Sequence, residues 1–320
     1  MSLLNQFVAR VGVAWAALII AVVPAAWAEQ ISVTHWGVLM YGAPYAVAME
    51  KGFFKEAGVN IDGILTSKGG GTTMRNVLAS GLPYGEVALS AAVAAADQGI
   101  DVRIVCAGVR TAGEILWVTK PNSPVRTIKD LEGRKMGYTS PKSVTDMLSI
   151  LALQAQGIPI DKVERVAIGG IGTGLTALEQ GGIVATPIMD PVWSKYKNKY
   201  RPVFWVKDVL PPMTQTVGVT TAEFAKHNGK VVKAIIAGRR KGVEYIYAHP
   251  KEAAAIFAKV YQLDPKVAEE SIASMVAMKY WSTGEFDIEG MNRMAKGLQL
   301  IGELKGPVDW SKLIDERFLK

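Results

Sequence analysis

Cysteine occurs once in 320 residues, as Cys106, which excludes a disulfide framework and any thiolate-held zinc or iron–sulfur cluster. Histidine is nearly as scarce: His35, His227 and His249 lie too far apart to form a local metal motif. Charged residues make up 20% of the chain against 49% apolar, so a disordered polymer, a coiled coil and a collagen are also excluded. There is no glycine-flanked nucleophilic serine and no phosphate-loop lysine motif. Ser194 and Lys197 match Ser-x-x-Lys, but the partner motifs of that chemistry are missing. What remains is a globular chain long enough for one large domain or two ordinary ones. Its net charge of +7 is the one feature that invites a nucleic-acid partner. The charges are scattered, however. The densest clusters, Lys195, Lys197, Lys199 with Arg201 and then Arg239, Arg240 with Lys241, lack interleaved stacking aromatics. An anionic small molecule or a membrane surface suits this balance better than a nucleic acid.

The N-terminal segment reads as an export signal. Residues 2–10 carry one charge, Arg10; residues 11–23 are uninterruptedly apolar; Pro24 breaks the run; Ala26-Trp27-Ala28 supplies small residues at both specificity positions. The run is shorter than the ~20 residues that span a bilayer, so it predicts a signal peptide cleaved after Ala28. No cysteine follows it that a lipoprotein would need. The product is expected to be exported and soluble.

Beyond residue 28, strand and helix patterns alternate. Strands are predicted at 31–36, 59–66, 86–90 and 102–109, with helices at 44–57, 72–80 and 91–98 between them. That is βαβαβ, which implies a parallel sheet with helices on both faces. A second unit has strands at 134–138, 163–168 and 183–189. Ser140-Pro141 there reads as a helix cap followed by proline at the first helical position. Residues 203–206 and 216–220 look extended, and from 221 to 304 the pattern is helical, with breaks at His249-Pro250, Asp264-Pro265 and Thr283-Gly284. No internal repeat is visible. Two α/β lobes joined by extended crossings at 112–120 and 212–219 place the natural site in the cleft between them.

Two loops carry the chemistry. Lys68-Gly69-Gly70-Gly71-Thr72-Thr73 follows a strand and ends at a helix N-terminus, whose free N–H groups and positive dipole end suit an anion. Thr139-Ser140-Pro141-Lys142-Ser143 repeats the construction in the second lobe. Gly172-Thr173-Gly174-Leu175-Thr176-Ala177 matches a dinucleotide fingerprint, with Asp190 at the end of the next strand. The helix after it is short and the chain is an exported one, which argues against a dinucleotide. Cys106 lies in an apolar strand and reads as core. His35, at a strand end, faces either the cleft or the core.

Four stretches then resemble the periplasmic solute-binding proteins of ABC importers, in the nitrate/sulfonate/taurine and thiamine-precursor group. They are GAPYAVAMEKGFFKEAG at 42–58, VLASGLPYGEVALSAAVAAADQG at 77–99, the stretch from Thr127-Ile128-Lys129-Asp130-Leu131-Glu132-Gly133 to Gly157, and residues 217–250. The family's usual acid in its G-x-x-D turns is replaced by Tyr84-Gly85 and by Val184, and the cysteine-rich motif of thiamine-precursor synthases is absent. The resemblance implies a type II periplasmic-binding fold: two α/β lobes, two hinge strands and a helical C-terminal region. Residues 29–115 and 216–320 would form lobe 1, and 116–215 lobe 2. It also implies a periplasmic monomer that captures a small organic anion, a sulfonate or an aromatic or bulky carboxylate, and hands it to a permease of the inner membrane. The competing class is an enzyme on the same scaffold acting on a pyrimidine or small organic acid. No matched nucleophile or acid–base set supports that, and neither cofactor nor metal is expected.

The expected ligand-binding residues are Gly69, Gly70, Gly71 and Thr72 in lobe 1 and Thr139, Ser140 and Ser143 in lobe 2. Trp36, Met40, Tyr41 and Trp193 would supply an apolar wall, and Ser90 and Ala91 the carboxyl edge of the sheet. Asp190 belongs to the set awkwardly, since an acid repels an anion. Lys68 and Lys142 either add charge or stay solvated. N-terminal sequencing of protein from the periplasmic fraction is expected to begin at Glu29. Full-length chain recovered from membranes would refute cleavage.

Overall fold

The computed structural model describes residues 29–320, so the expected signal peptide and its cleavage lie outside the described residues. The chain opens with β1 (Glu29–Thr34), α1 (Ala43–Glu50), α2 (Phe53–Ala57), β2 (Ile61–Ser67), α3 (Gly70–Ala79), β3 (Tyr84–Ala88), α4 (Leu89–Asp97) and β4 (Arg103–Val109). The second unit contains β5 (Leu116–Thr119), β6 (Lys135–Tyr138), α5 (Val144–Ala155), β7 (Glu164–Ala167), α6 (Ile171–Glu179), β8 (Thr186–Ile188), α7 (Val192–Tyr196), β9 (Arg201–Trp205) and α8 (Val206–Val209). The chain then returns as β10 (Thr216–Thr220) and continues through α9 (Ala222–His227), α10 (Gly229–Ala248), α11 (Pro250–Tyr261), α12 (Pro265–Ala277), α13 (Ile288–Leu300) and α14 (Trp310–Leu313). Among the described residues no helix is long and apolar enough to cross a membrane.

The first sheet has the order β2-β1-β3-β10-β4, with β1 parallel to β2 and β3, and β10 antiparallel to both its neighbours. This corrects the simple parallel βαβαβ expectation. All five residues of β10 are buried. A strand buried on both faces belongs inside a sheet, so β10 lies between β3 and β4. In the second unit β5 is antiparallel to β8 and β9, and β6 is parallel to β7. The amides of Gly137 and Val184 join β6 to β8 by donating to the carbonyls of Ala185 and Lys135, at 2.8 and 2.9 Å. The resulting order, β7-β6-β8-β5-β9, has the form of the first, again with one antiparallel strand in fourth place. The fold repeats where the sequence shows no repeat. Segments 110–115 and 206–215 cross between the two sheets.

Two helix starts differ from expectation. The helix of the second lobe begins at Val144, capped by the Ser143 hydroxyl, which accepts the Asp146 amide at 3.2 Å. Ser140-Pro141 instead forms the preceding turn, closed by the Ser143 amide on the Ser140 carbonyl at 3.1 Å. A capping hydroxyl must sit three residues before the amide it accepts, and Ser143 meets Asp146 at that spacing. Helix α4 starts at Leu89, so Ser90 and Ala91 lie in its first turn rather than at the end of a strand.

The expected basic cluster at 239–241 divides. Lys241 pairs with Glu56 at the surface, whereas Arg239 is 1% exposed. Its Nε donates to Glu86 Oε2, its Nη1 to the Ser282 carbonyl and its Nη2 to the Gly108 carbonyl, each at 2.8 Å. Glu86 stands in β3, fully buried, and its Oε1 accepts the Thr216 hydroxyl at 2.7 Å. One cation thus ties α10 to β3, to β4 and to the segment after α12. Removing one partner of such a pair leaves a buried charge uncompensated, at a cost of about 3–5 kcal/mol. Arg239→Met is therefore expected to lower the urea unfolding free energy by about that amount, and adding Glu86→Gln to restore part of it. An unchanged midpoint in the single variant would contradict this role.

Candidate functional site

Helices in both halves begin at the carboxyl ends of strands, and four of these beginnings meet. A small cavity between the two sheets is lined by Gly70, the first residue of α3, and by Ala88, the residue capping α4. From the other half come Ser143 and Val144 at the start of α5 and Ile171 at the start of α6. The four helices run 10, 9, 12 and 9 residues, each long enough to carry a developed dipole. First-turn N–H groups have no partner within their own helix, so the cavity faces a set of positive helix ends.

No lysine or arginine lines it. Lys142 turns its ammonium to Glu303 at 2.9 Å, and Lys68 is exposed. His35 does line it, from the turn after β1, with φ +54°. Burial lowers the pKa of its imidazole to about 4, so the ring is neutral at pH 7. Tyr41 donates its hydroxyl to Gln215 Oε1 at 2.8 Å, and burial raises its pKa well above the phenol range, so it too stays uncharged. The Thr139 hydroxyl donates to Ser143 Oγ at 2.9 Å, while the Thr139 amide donates to Thr145 Oγ1 at 2.9 Å. Opposite, Thr34 donates its hydroxyl to the Glu86 carbonyl at 3.0 Å. Leu39 and Met189 supply apolar wall. The lining is therefore uncharged and largely apolar, in a field set by backbone.

The halves are closed over this point. The Ser90 hydroxyl donates to the Lys142 carbonyl at 2.8 Å, Lys197 pairs with Glu270 at 2.6 Å, and Gly297 of α13 packs against Met147 of α5. The enclosed volume is about 20 Å³, room for roughly one water. One glycine allows the approach: a Cβ on Gly69 would collide with Ser140 Oγ across the interface. Within the first half, a Cβ on Gly70 would lie 2.7 Å from that of Ala91.

Of the residues expected from sequence, Tyr41, Gly69, Gly70, Thr139 and Ser143 line the cavity. Ser90 and Ser140 flank it in the contact between the halves, and Ala91 packs against Gly70 within the first half. The others lie elsewhere. Trp36 packs edge-on against Tyr261, Met40 is core and gives its carbonyl to Trp281 Nε1, Gly71 lines nothing here, and exposed Thr72 bonds Arg75. Asp190 and Trp193 line a different pocket. Of the expected apolar wall only Tyr41 lines the cavity; Trp36 and Trp193 pack on the aromatic neighbours Tyr261 and Trp205. Sequence reasoning missed the α6 start, although Gly169-Gly170 follows a strand just as Gly69-Gly70 does.

The neutral His35 has a consequence for stability. Its native pKa of about 4 lies below the ~6.5 of an unfolded chain, so the unfolded state takes up a proton first on acidification. Stability from this group is complete above about pH 6.5 and is lost as pH falls to about 4, by about 3 kcal/mol. His35→Asn tolerates the positive φ and is expected to flatten the pH dependence of the unfolding free energy over that window. Identical slopes in the two proteins would show the imidazole to be exposed to protons.

The family model described as NMT1/THI5 like matches residues 40–253. A search of curated proteins finds no match. Among solved structures, the aliphatic sulphonate binding protein SsuA of Escherichia coli is 17% identical, with a TM-score of 0.71, covering 90% of this chain and 92% of its own. The alkanesulfonate-binding SsuA of Xanthomonas axonopodis pv. citri, bound to MOPS, is 14% identical with a TM-score of 0.74, covering 90% and 98%. The nitrate-binding NrtA of Synechocystis PCC 6803 is 12% identical with a TM-score of 0.71, covering 91% and 87%. Two α/β units joined by two crossings, with helix ends meeting between them, are thus a periplasmic-binding-protein fold, and the chain belongs to the NMT1/THI5-like family.

Proposed function

We propose that this protein is the solute-binding component of an ABC importer, exported to the periplasm and cleaved after Ala28. In this reading residues 29–115 with 216–320 form one lobe and 116–215 the other. A compact organic anion is held between them and passed to a membrane permease by a monomer that does not turn it over. The observation that carries this is the meeting of four helix starts on a cavity without a cation. Several oriented N–H donors serve a sulfonate, whose charge is spread over three oxygens, without burying a formal positive charge. Two of the structural neighbours bind sulfonates and one binds nitrate by their names. The absence of Trp36 and Trp193 from the lining favours a compact anion over an aromatic carboxylate. Binding without turnover is supported by the lining hydroxyls of Thr139 and Thr34, which are committed to loop contacts.

A thermal-shift screen of alkanesulfonates, nitrate and small carboxylates tests this, since a ligand at 100 times its Kd stabilises by about 2.7 kcal/mol. Gly69→Asp puts a carboxylate where the halves meet, at a backbone position with φ 171° that any residue adopts. The variant is expected to fold, to lose the anion-induced shift and to scatter with a larger radius of gyration. Wild-type anion affinity in Gly69→Asp, or no stabilisation by any small anion, overturns the proposal.

A further inference from the structure

An anion enclosed away from water needs a counter-charge or a field that replaces one. The cavity at the helix starts offers the field but no lysine or arginine, and its lining holds two titratable side chains, Tyr41 and His35. Tyr41 is a neutral phenol committed to Gln215, so His35 is the one group there that can acquire a positive charge below neutral pH. Its place is fixed by backbone. The His35 amide donates to the Ser67 carbonyl at 2.8 Å, and its carbonyl accepts the Leu39 amide at 3.0 Å. These contacts hold it at φ +54°, in the left-handed region, where residues other than glycine persist when their surroundings fix them. The turn would have to break for His35 to leave the wall.

Without an anion the ring is neutral. Burial alone lowers its pKa to about 4, with no hydrogen bond and no neighbouring charge contributing. An anion within about 4–6 Å supplies the missing charge and favours the imidazolium, raising its pKa by about 1–3. The protonated ring also offers N–H donors from both nitrogens. We infer that the cavity takes up its anion together with one proton, which His35 carries. This rests on the anion reading above and adds a regulation to it: capture strengthens as pH falls. A monovalent anion and its proton leave the cavity uncharged overall. The titratable groups of the surrounding elements are otherwise engaged. Glu86 of β3 is paired with Arg239, Asp146 of α5 with Arg165, and Lys142 with Glu303, while Asp190 after β8 is held by Ser194. Lys68 is exposed, and Tyr261 stays a protonated phenol. Glu114, joined to Tyr41 through Gln215, has a pKa raised by burial to about 8, above the range in which His35 would respond.

Methanesulfonate and nitrate are the probes, because both stay ionised throughout the acidic range used. Calorimetry of the purified protein in two buffers of different ionisation enthalpy reads proton uptake. With the pKa of His35 raised by about 2 in the complex, about 0.8 proton is expected to enter with the anion at about pH 5, and affinity to be about tenfold tighter there than at about pH 7. His35→Asn, which tolerates the positive φ, is expected to abolish both the uptake and the pH dependence. Histidine ring NMR reads the same event in the unaltered chain, and it decides the case alone if the variant does not fold. The titration of His35 is expected to move with the anion, while exposed His227 and His249 keep theirs. Anion binding without proton uptake, uptake that persists in His35→Asn, or a His35 titration unmoved by saturating anion overturns the inference and leaves the anion reading standing. No saturable binding of either probe at either pH overturns the compact-anion reading and this inference with it.

Discussion

The guanidinium of Arg239 neutralises Glu86 in the middle of the first sheet, and the cavity wall is built outward from that pair. Two charges removed from water each cost several kcal/mol, and the pair is tolerable only because every strong hydrogen-bonding direction is used. Glu86 lies in β3 opposite Val33 of β1 and Gly218 of β10. Its carboxylate takes the Thr216 hydroxyl and its carbonyl takes that of Thr34. Both threonines line the cavity. The ion pair therefore fixes the positions of groups that face the site, although it never reaches the site itself. A hydrophobic isostere at the same place could match its stability. It would leave the Thr216 hydroxyl without its acceptor.

Against this rigid centre, the contacts that close the two halves are weak. Lys197 and Glu270 are 44% and 35% exposed, and pairs of that kind contribute about 0–1 kcal/mol. Lys142 and Glu303 are similar, at 26% and 40%. Ser90 adds one neutral hydrogen bond. The polar contacts across the closure are thus small terms, beside the packing of Gly297 against Met147 and the bare Gly69 that lets Ser140 approach. A ligand touching both halves needs only a modest differential affinity to select such a state. Strong closure contacts would have made the cleft slow to open and the ligand irrelevant to its closing.

Much of this was legible in the sequence, and what was not has identifiable causes. Strand and helix positions followed from periodicity, because β1, β4 and α10 have long and clear patterns. The stretches 69–72 and 139–143 were marked by glycines and by Ser140-Pro141, and both reach the cavity, although the cap itself is Ser143. The place of β10 was not readable, since pairing between β3 and β4 is settled by burial of all its residues and no local pattern encodes that. Arg239 read as one of three basic neighbours; only its partner Glu86, 153 positions away, makes it core. Asp190, awkward as an anion ligand, lies away from the cavity where the helix starts meet. The tryptophans were misplaced for a general reason: an aromatic near a strand end is as useful to a neighbouring helix as to a cleft, and sequence alone does not choose.

The two halves explain why four helices point at one place. Their sheets share one strand order, and the residue capping the helix after the corresponding edge strand, β2 or β7, has nearly the same extended backbone: Gly69 at φ 171°, ψ 165° and Gly170 at φ 174°, ψ 172°. Helices that follow strands in such sheets begin at the carboxyl edge. When two such edges face each other across a pair of crossings, their positive helix ends converge whatever the side chains are. Converging positive helix ends are then a property of the topology. What distinguishes this chain is the set of groups it adds to that field. Here they are a neutral His35, a phenol fixed by Gln215, and the apolar Leu39 and Met189.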